Sequence, residues 1–265
     1  MTTALGLLDG RRIIITGAGR GIGKGVAIAC AAQGASIALL DIDSELVQSV
    51  VQDLKLQSSA RAVSLQVDIS SEASVQRAFA ECIEELGQID GVVINAGVLH
   101  LEPVESMPLK DWQRVIDINL TGSFLCAREA AKLMQVNDGS SSIVFTSSLF
   151  GLRGGKENGA YSASKFGVIG LAQCLAAELG ARGIRVNSVC PGQVQTEMID
   201  KLLVDRSSLT GQSVEQIRSE LLSHIPSHRM GTIEEIAQTF VFLLSEQSRY
   251  ITGHSLVVDG GWQVG

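Results

Sequence analysis

The sequence predicts an α/β protein, a doubly wound parallel sheet of seven strands with helices on both faces. Three observations carry this. Short, β-branched apolar runs alternate with helical patterns along nearly the whole chain. The runs are continuously apolar rather than alternating, as strands covered on both faces are. Of 265 residues 45% are apolar and 4% aromatic, so the core is large and aliphatic. No linker, repeat or low-complexity stretch breaks the pattern, so residues 1–265 read as one domain.

The elements follow in order. Ile13-Ile14-Ile15 is a short buried strand, and the glycine cluster from Gly17 to Gly25 follows it. Val26 to Ala32 is a small-residue helix ended by Gly34, and Ser36 to Leu40 is the second strand. Ser44 is the expected cap of a helix to about Gln57. Ala62 to Val67 is the third strand, and Ser71 caps a helix to about Leu86, stopped by Gly87. Gly91 to Asn95 is the fourth strand, and Leu109 to Met134 one long helix. Ser142 to Thr146 is the fifth strand, Tyr161 to Arg182 a helix, and Arg185 to Cys190 the sixth strand. The polar stretch Thr196 to Arg229 is mostly helical, with a capping box at Ser213 and Gln216. Thr232 and Glu235 form another, opening a helix to about Leu244, and Ser255 to Val258 is the last strand.

Composition excludes several classes. The net charge is −7 with no long basic run, which argues against nucleic-acid or anionic-membrane binding. Met1 to Arg12 lacks the pattern of a signal peptide, and no run of about 18 apolar residues exists. A cytoplasmic protein is expected. Cys30, Cys82, Cys126, Cys174 and Cys190 include no C-x-x-C, and they read as five buried thiols in a reducing compartment. No metal site is expected, and His100 has no partner at metal-ligand spacing.

Thr16 to Gly23 (TGAGRGIG) lies between the first strand and the first helix. Glycines there let a diphosphate approach a helix N-terminus with no Cβ in the way. A glycine loop alone is equally a tight turn with no ligand. Asp41 ends the second strand, 24 residues after Gly17, where a carboxylate can bond an adenosine ribose. It also repels a 2′-phosphate, which favours NAD over NADP, although Arg20 or Lys24 could meet that phosphate. Asp68 and Asn95-Ala96-Gly97 close two more strands, and in such sheets ligands lie at the strands' carboxyl ends.

Tyr161 and Lys165 stand one helical turn apart. A nearby cation favours tyrosinate, so the pair suits general acid/base work, though a surface Tyr and Lys at this spacing are common. Ser148 or its neighbour Ser147 could hold a substrate oxygen beside Tyr161, and spacing does not choose between them.

Taken together, TGAGRGIG (16–23), Asp41, Asp68, NAG (95–97), Asn119, Ser148, YSASK (161–165), PGQVQT (191–196) and VDGG (258–261) resemble the classical short-chain dehydrogenase/reductase family over essentially the whole chain. The resemblance implies a Rossmann fold with strand order 3-2-1-4-5-6-7 and a reaction between a secondary alcohol and a ketone. It implies that Tyr161 is the acid/base, that Lys165 lowers its pKa and bonds the nicotinamide ribose, and that Ser148 orients the substrate oxygen. Asn119 would hold a water linking Lys165 to solvent. Gly17, Arg20, Gly21, Ile22, Gly23, Asp41, Asp68, Ile69, Asn95, Ala96, Gly97, Pro191, Gly192, Val194 and Thr196 would line the cofactor site. Ile94 replaces the first Asn of the family's usual N-N-A-G.

The dinucleotide core is expected over about 10–192 and a substrate lid over about 196–230, with Arg206-Ser207-Ser208 as its polar tip. His100, Phe150, Asn158 and Gln193 are the candidate substrate contacts, beside Ser148. Each polar one is equally a plain loop residue. A small polyol or sugar fits the polar half of the set. A 3-oxoacyl thioester or a steroid is the alternative, and a dinucleotide-binding sensor or scaffold is the non-enzyme alternative. The resemblance also implies a homotetramer or homodimer, with Ala172, Ala176, Ala177 and Gly180 allowing close helix contact.

Overall fold

The computed structural model describes residues 6–57, 61–134 and 141–264. Its strands are β1 (Arg12–Thr16), β2 (Ser36–Asp41), β3 (Ala62–Gln66), β4 (Gly91–Ile94), β5 (Ser141–Thr146), β6 (Ile184–Pro191) and β7 (Ser255–Val258). They form one seven-stranded parallel sheet in the order β3-β2-β1-β4-β5-β6-β7. Strand order reverses between β1 and β4, which opens a crevice at their carboxyl ends.

The continuous apolar runs follow from two-sided burial. Ile13 and Ile15 face one core with α1 (Gly21–Ala32), α2 (Ser44–Gln57) and α9 (Ile233–Leu244). Ile14 faces the other with α3 (Glu72–Leu86), α5 (Gly122–Leu133) and α6 (Gly159–Leu179). A third cluster joins Leu202 and Leu203 of α7 (Glu197–Thr210) to Ile217 and Leu221 of α8 (Val214–Ser223). Leu101 is buried in that cluster and Leu99 packs against it, so the segment after β4 packs on α7 and α8.

Several local expectations need correction. The cap of α2 is Asp43, whose Oδ1 accepts the Glu45 and Leu46 amides at 3.1 Å each, while Ser44 is already helical. The long helix is α4 (Leu109–Ile116) and α5 joined by a π turn, Asp117–Thr121. Arg206, Ser207 and Ser208 lie inside α7 rather than at a tip, because the chain turns at Gly211 with φ 73°. Cys174 is exposed while the other four thiols are buried, and burial pushes Cys30, Cys82 and Cys126 up to about 12. Ala172 and Ala176 pack into the chain's own core, which leaves Ala177 and Gly180 on the surface. The capping boxes at Ser213 and Thr232 form as the sequence implies. Among the described residues no helix is long and apolar enough to cross a membrane, and Met1 to Leu5 lie outside that set.

Candidate active site

The loop after β1 is a cradle that side chains would fill. Gly17 has φ 64°, and a Cβ there would lie 2.7 Å from Ala96 Cα. A Cβ on Gly23 would lie 2.0 Å from the Gly17 carbonyl oxygen. Asn95 buckles this loop to the sheet. Its Nδ2 donates to the carbonyls of Thr16 and Gly17 at 3.2 and 3.1 Å, and its Oδ1 accepts from Thr146 Oγ1 at 3.1 Å. Its side chain is therefore engaged within the protein. Thr16 Oγ1 accepts the amides of Asn95 and Ala96.

Asp41 faces the same loop. One carboxylate oxygen accepts the Gly19 amide at 2.9 Å and the other the Asp43 amide at 3.2 Å. Arg20 stands beside Glu197 at 3.5 Å, and Lys24 pairs with Asp53 at 3.3 Å, so neither basic residue is bonded to Asp41. Asp68 is exposed, with Oδ1 accepting the Ser70 amide and hydroxyl, and the adjacent Ile69 is buried. These groups suit a nucleoside diphosphate, since glycines let the loop turn tightly at the start of α1 and the strand end beyond it carries an acceptor. α1 begins at Gly21, where Ile22 is in the first turn, and no carboxylate occupies that turn.

The second cluster sits at the ends of β5 and β6 and the start of α6. Successive residues beyond a strand point to opposite sides. Ser147 therefore turns inward and donates to the Lys165 carbonyl at 3.0 Å. Ser148 turns to the other side, where its oxygen accepts the Phe150 amide at 3.1 Å. That separates the two serines, which the sequence left equivalent.

Lys165 is buried and donates to the Thr146 carbonyl at 2.8 Å, with Nζ 5.6 Å from the Tyr161 ring centroid. Burial pushes its ammonium down from 10.5 to about 8. Burial likewise raises the Tyr161 phenol, and the hydrogen bond to Ser148 opposes that. Desolvation thus holds the Tyr161 phenol protonated, and Lys165 is not among the groups that shift it. Asn119, in the π turn, is wholly buried. Its Oδ1 accepts the Val98 amide at 2.8 Å, and its Nδ2 donates to the Val98 carbonyl and to Ser164 Oγ. Gly97 lies between Asn119 and Lys165. A Cβ on it would be 3.2 Å from Asn119 Oδ1 and 3.6 Å from Lys165 Nζ.

Beyond β6, Gly192 donates to the Val258 carbonyl at 2.9 Å, and a Cβ on it would meet Asp259 at 2.7 Å. Pro191 ends β6, and Val194 is buried and bridges to Gly231. Thr196 precedes the first residue of α7, its hydroxyl donating to the Val194 carbonyl at 3.3 Å and its methyl carbon 3.9 Å from where a Cβ on Gly21 would be. Of the candidate substrate contacts, Phe150 stands two residues beyond Ser148 and donates its amide to the Ser148 hydroxyl oxygen, and Gln193 is buried with its carbonyl accepting the Gly231 amide. Asn158 is buried beneath the start of α6, and its Oδ1 lacks a hydrogen-bond partner. His100 Nε2 also lacks one and lies 3.7 Å from Glu102. Glu102 in turn bridges to Asn158, so the two orphaned groups flank one short ribbon.

With this geometry in place, similarity to known proteins becomes decisive. A family model described as enoyl-(acyl carrier protein) reductase matches residues 17–263. The chain belongs to the short-chain dehydrogenase/reductase family. Levodione reductase of Leifsonia aquatica is 35% identical, over 95% of this chain and 93% of that one. D-threitol dehydrogenase of Mycolicibacterium smegmatis is 37% identical, over 97% and 94%. A 3-oxoacyl-[acyl-carrier-protein] reductase of Chlamydia muridarum is also 37% identical, over 96% and 98%. The crystal structure of levodione reductase superposes with a TM-score of 0.90 at 33% identity, covering 96% of this chain and 98% of that one. The chain is therefore an oxidoreductase of that family, acting on alcohol, ketone or oxoacyl substrates with a nicotinamide dinucleotide.

Sequence reasoning missed the π turn, Asp43 and a cavity of about 330 Å³ lined by Gly21, Thr196, Ile199, Arg218, Met230 and Ile233. Nothing in the polar pattern of α8 marks Arg218 as facing that cavity.

Proposed function

We propose that this enzyme interconverts a small polyol or sugar alcohol with its ketone, using NAD(H) rather than NADP(H). The supporting observation for the cofactor is the Asp41 carboxylate bonded to Gly19, at the edge of the cradle, where a 2′-phosphate would meet a like charge. When bound, the nicotinamide supplies the hydride acceptor or donor. Gly17, Ile22 and Gly23 would leave room for the diphosphate, Asp41 would accept from the ribose, and Thr196 and Val194 would flank the nicotinamide.

The chain's own residues handle the proton. Ser148 orients the substrate oxygen beside the Tyr161 phenol. Tyr161, held neutral by burial, donates its proton to a ketone oxygen. In the reverse direction it must first lose that proton, so alcohol oxidation speeds up as pH rises. The buried Lys165 charge stabilises the tyrosinate then formed. Asn119 positions this group through Val98 and Ser164. It would also hold a water leading out from Lys165.

The buried Asn158 Oδ1 and His100 Nε2, which lack hydrogen-bond partners, and the buried Gln193 are in keeping with a hydroxylated substrate, and an exposed Phe166, Cys174 and Ala177 face on α6 with a homotetramer or homodimer. The cytoplasm is the compartment in which its free thiols persist. The test is reduced-cofactor formation on polyols, sugars, hydroxy acids and hydroxysteroids, each with NAD and NADP. Turnover of a polyol with NAD supports the reading. Activity confined to NADPH and a 3-oxoacyl thioester overturns it.

A further inference from the structure

The cavity beside the cradle holds a charge arrangement that the residue roles above do not use. Two carboxylates, Glu197 and Asp200, stand three residues apart on the first turn of α7, so they share one face. Glu197 Oε2 lies 3.5 Å from Arg20 Nη1, at the start of α1. Asp200 Oδ1 lies 3.5 Å from Arg218 Nη2, on α8. Two arginines from opposite walls thus converge on one helical turn. Arg218 lines the same cavity as Gly21, the first residue of α1.

We propose that Arg218 is a diphosphate ligand carried by the lid, held in waiting by Asp200. The inference rests on the dinucleotide-binding reading. The Arg218 side chain is 43% exposed and that of Asp200 71%, so their pair is wet and weak. A diphosphate at the α1 N-terminus offers more charge and bidentate geometry to the guanidinium. The exchange costs little and gains a charge-assisted bond. Ser148, Tyr161 and Lys165 do not line this cavity, which places Arg218 toward the phosphates rather than the reacting carbon. Because α8 shares the apolar lid cluster with α7 and Leu101, the same contact draws the lid over the bound dinucleotide.

The test is calorimetric titration of the purified full-length protein with NADH, ADP-ribose and adenosine. Wild-type binding of NADH comes first, since its absence removes the dinucleotide reading itself. With that binding present, Arg218→Gln is expected to weaken NADH and ADP-ribose about tenfold or more and to leave adenosine unchanged. Asp200→Asn, which frees the guanidinium, is expected to tighten both diphosphates. Unchanged NADH and ADP-ribose affinity in Arg218→Gln overturns the proposal. So does an equal loss for adenosine, which marks a structural role, or an effect on the KM of the alcohol with NADH binding intact, which marks a substrate contact.

Discussion

Lys165 is the costliest buried charge in the candidate site, and its replacement by methionine exposes that cost. Its ammonium is lowered from 10.5 to about 8 by burial. At about 1.36 kcal/mol per pKa unit, that equals about 3 kcal/mol of folding stability withheld while the group is charged. The sign follows from proton counting. Below about pH 8 the lysine is protonated in both the folded and unfolded chain, and the full cost is present. Between about pH 8 and 10.5 the unfolded chain holds the extra proton, so stability rises with pH. From about pH 7 to about pH 9, wild type is expected to gain about 1.3 kcal/mol relative to Lys165→Met, which has no such titration. The buried thiols Cys30, Cys82 and Cys126 behave alike in both proteins and cancel in the difference. The neighbouring Cys190 thiol is also raised by burial, and the window stops below its range. The hydrogen bond lost from Lys165 to Thr146 offsets the comparison equally at every pH. Urea unfolding of both ligand-free proteins, at one fixed protein concentration, gives the difference. A difference that stays flat across this range refutes the reasoning and means that Lys165 is better solvated than its burial implies.

Three further outcomes follow from the same geometry. Asp41→Ala removes the acceptor of the Gly19 and Asp43 amides and the charge facing the ribose, so kcat/KM is expected to fall with NAD and rise with NADP. Steady-state kinetics with both cofactors checks this. Gly23→Ala places a Cβ 2.0 Å from the Gly17 oxygen and 2.6 Å from Asn95 Nδ2. About 1–3 kcal/mol of stability should be lost by the forced shift, and NADH affinity with it, as thermal unfolding and titration would show. Ser148→Ala should lower kcat by about a hundredfold or more. Ser147→Ala should instead cost about 1 kcal/mol of stability while sparing kcat, since its hydroxyl turns inward to the Lys165 carbonyl.

The fold was legible because its strands are buried on both faces, which makes runs such as Ile13-Ile14-Ile15 unambiguous. The cradle was legible because a missing Cβ is visible in sequence as Gly17, Gly21 and Gly23. What sequence could not resolve were choices between neighbours. Ser147 and Ser148 differ only in which side of the β5 end they face. Asp43 and Ser44 are both good caps, and the backbone turn selects the first. Burial of Tyr161, which raises its phenol, is a property of the packed site and not of the Y-x-x-x-K spacing. The Arg218–Asp200 pair joins two separate helices, and no local pattern encodes it.

The most direct measurement is a single turnover of the best alcohol found, with wild type and Tyr161→Phe each saturated with NAD. On the proposed reading the Tyr161 phenol, with Lys165 Nζ 5.6 Å from its ring centroid, takes the alcohol proton. Loss of NADH formation in the variant, with NADH still bound at near wild-type affinity, is the expected result. Turnover close to wild type would contradict the assignment of Tyr161 as the acid/base.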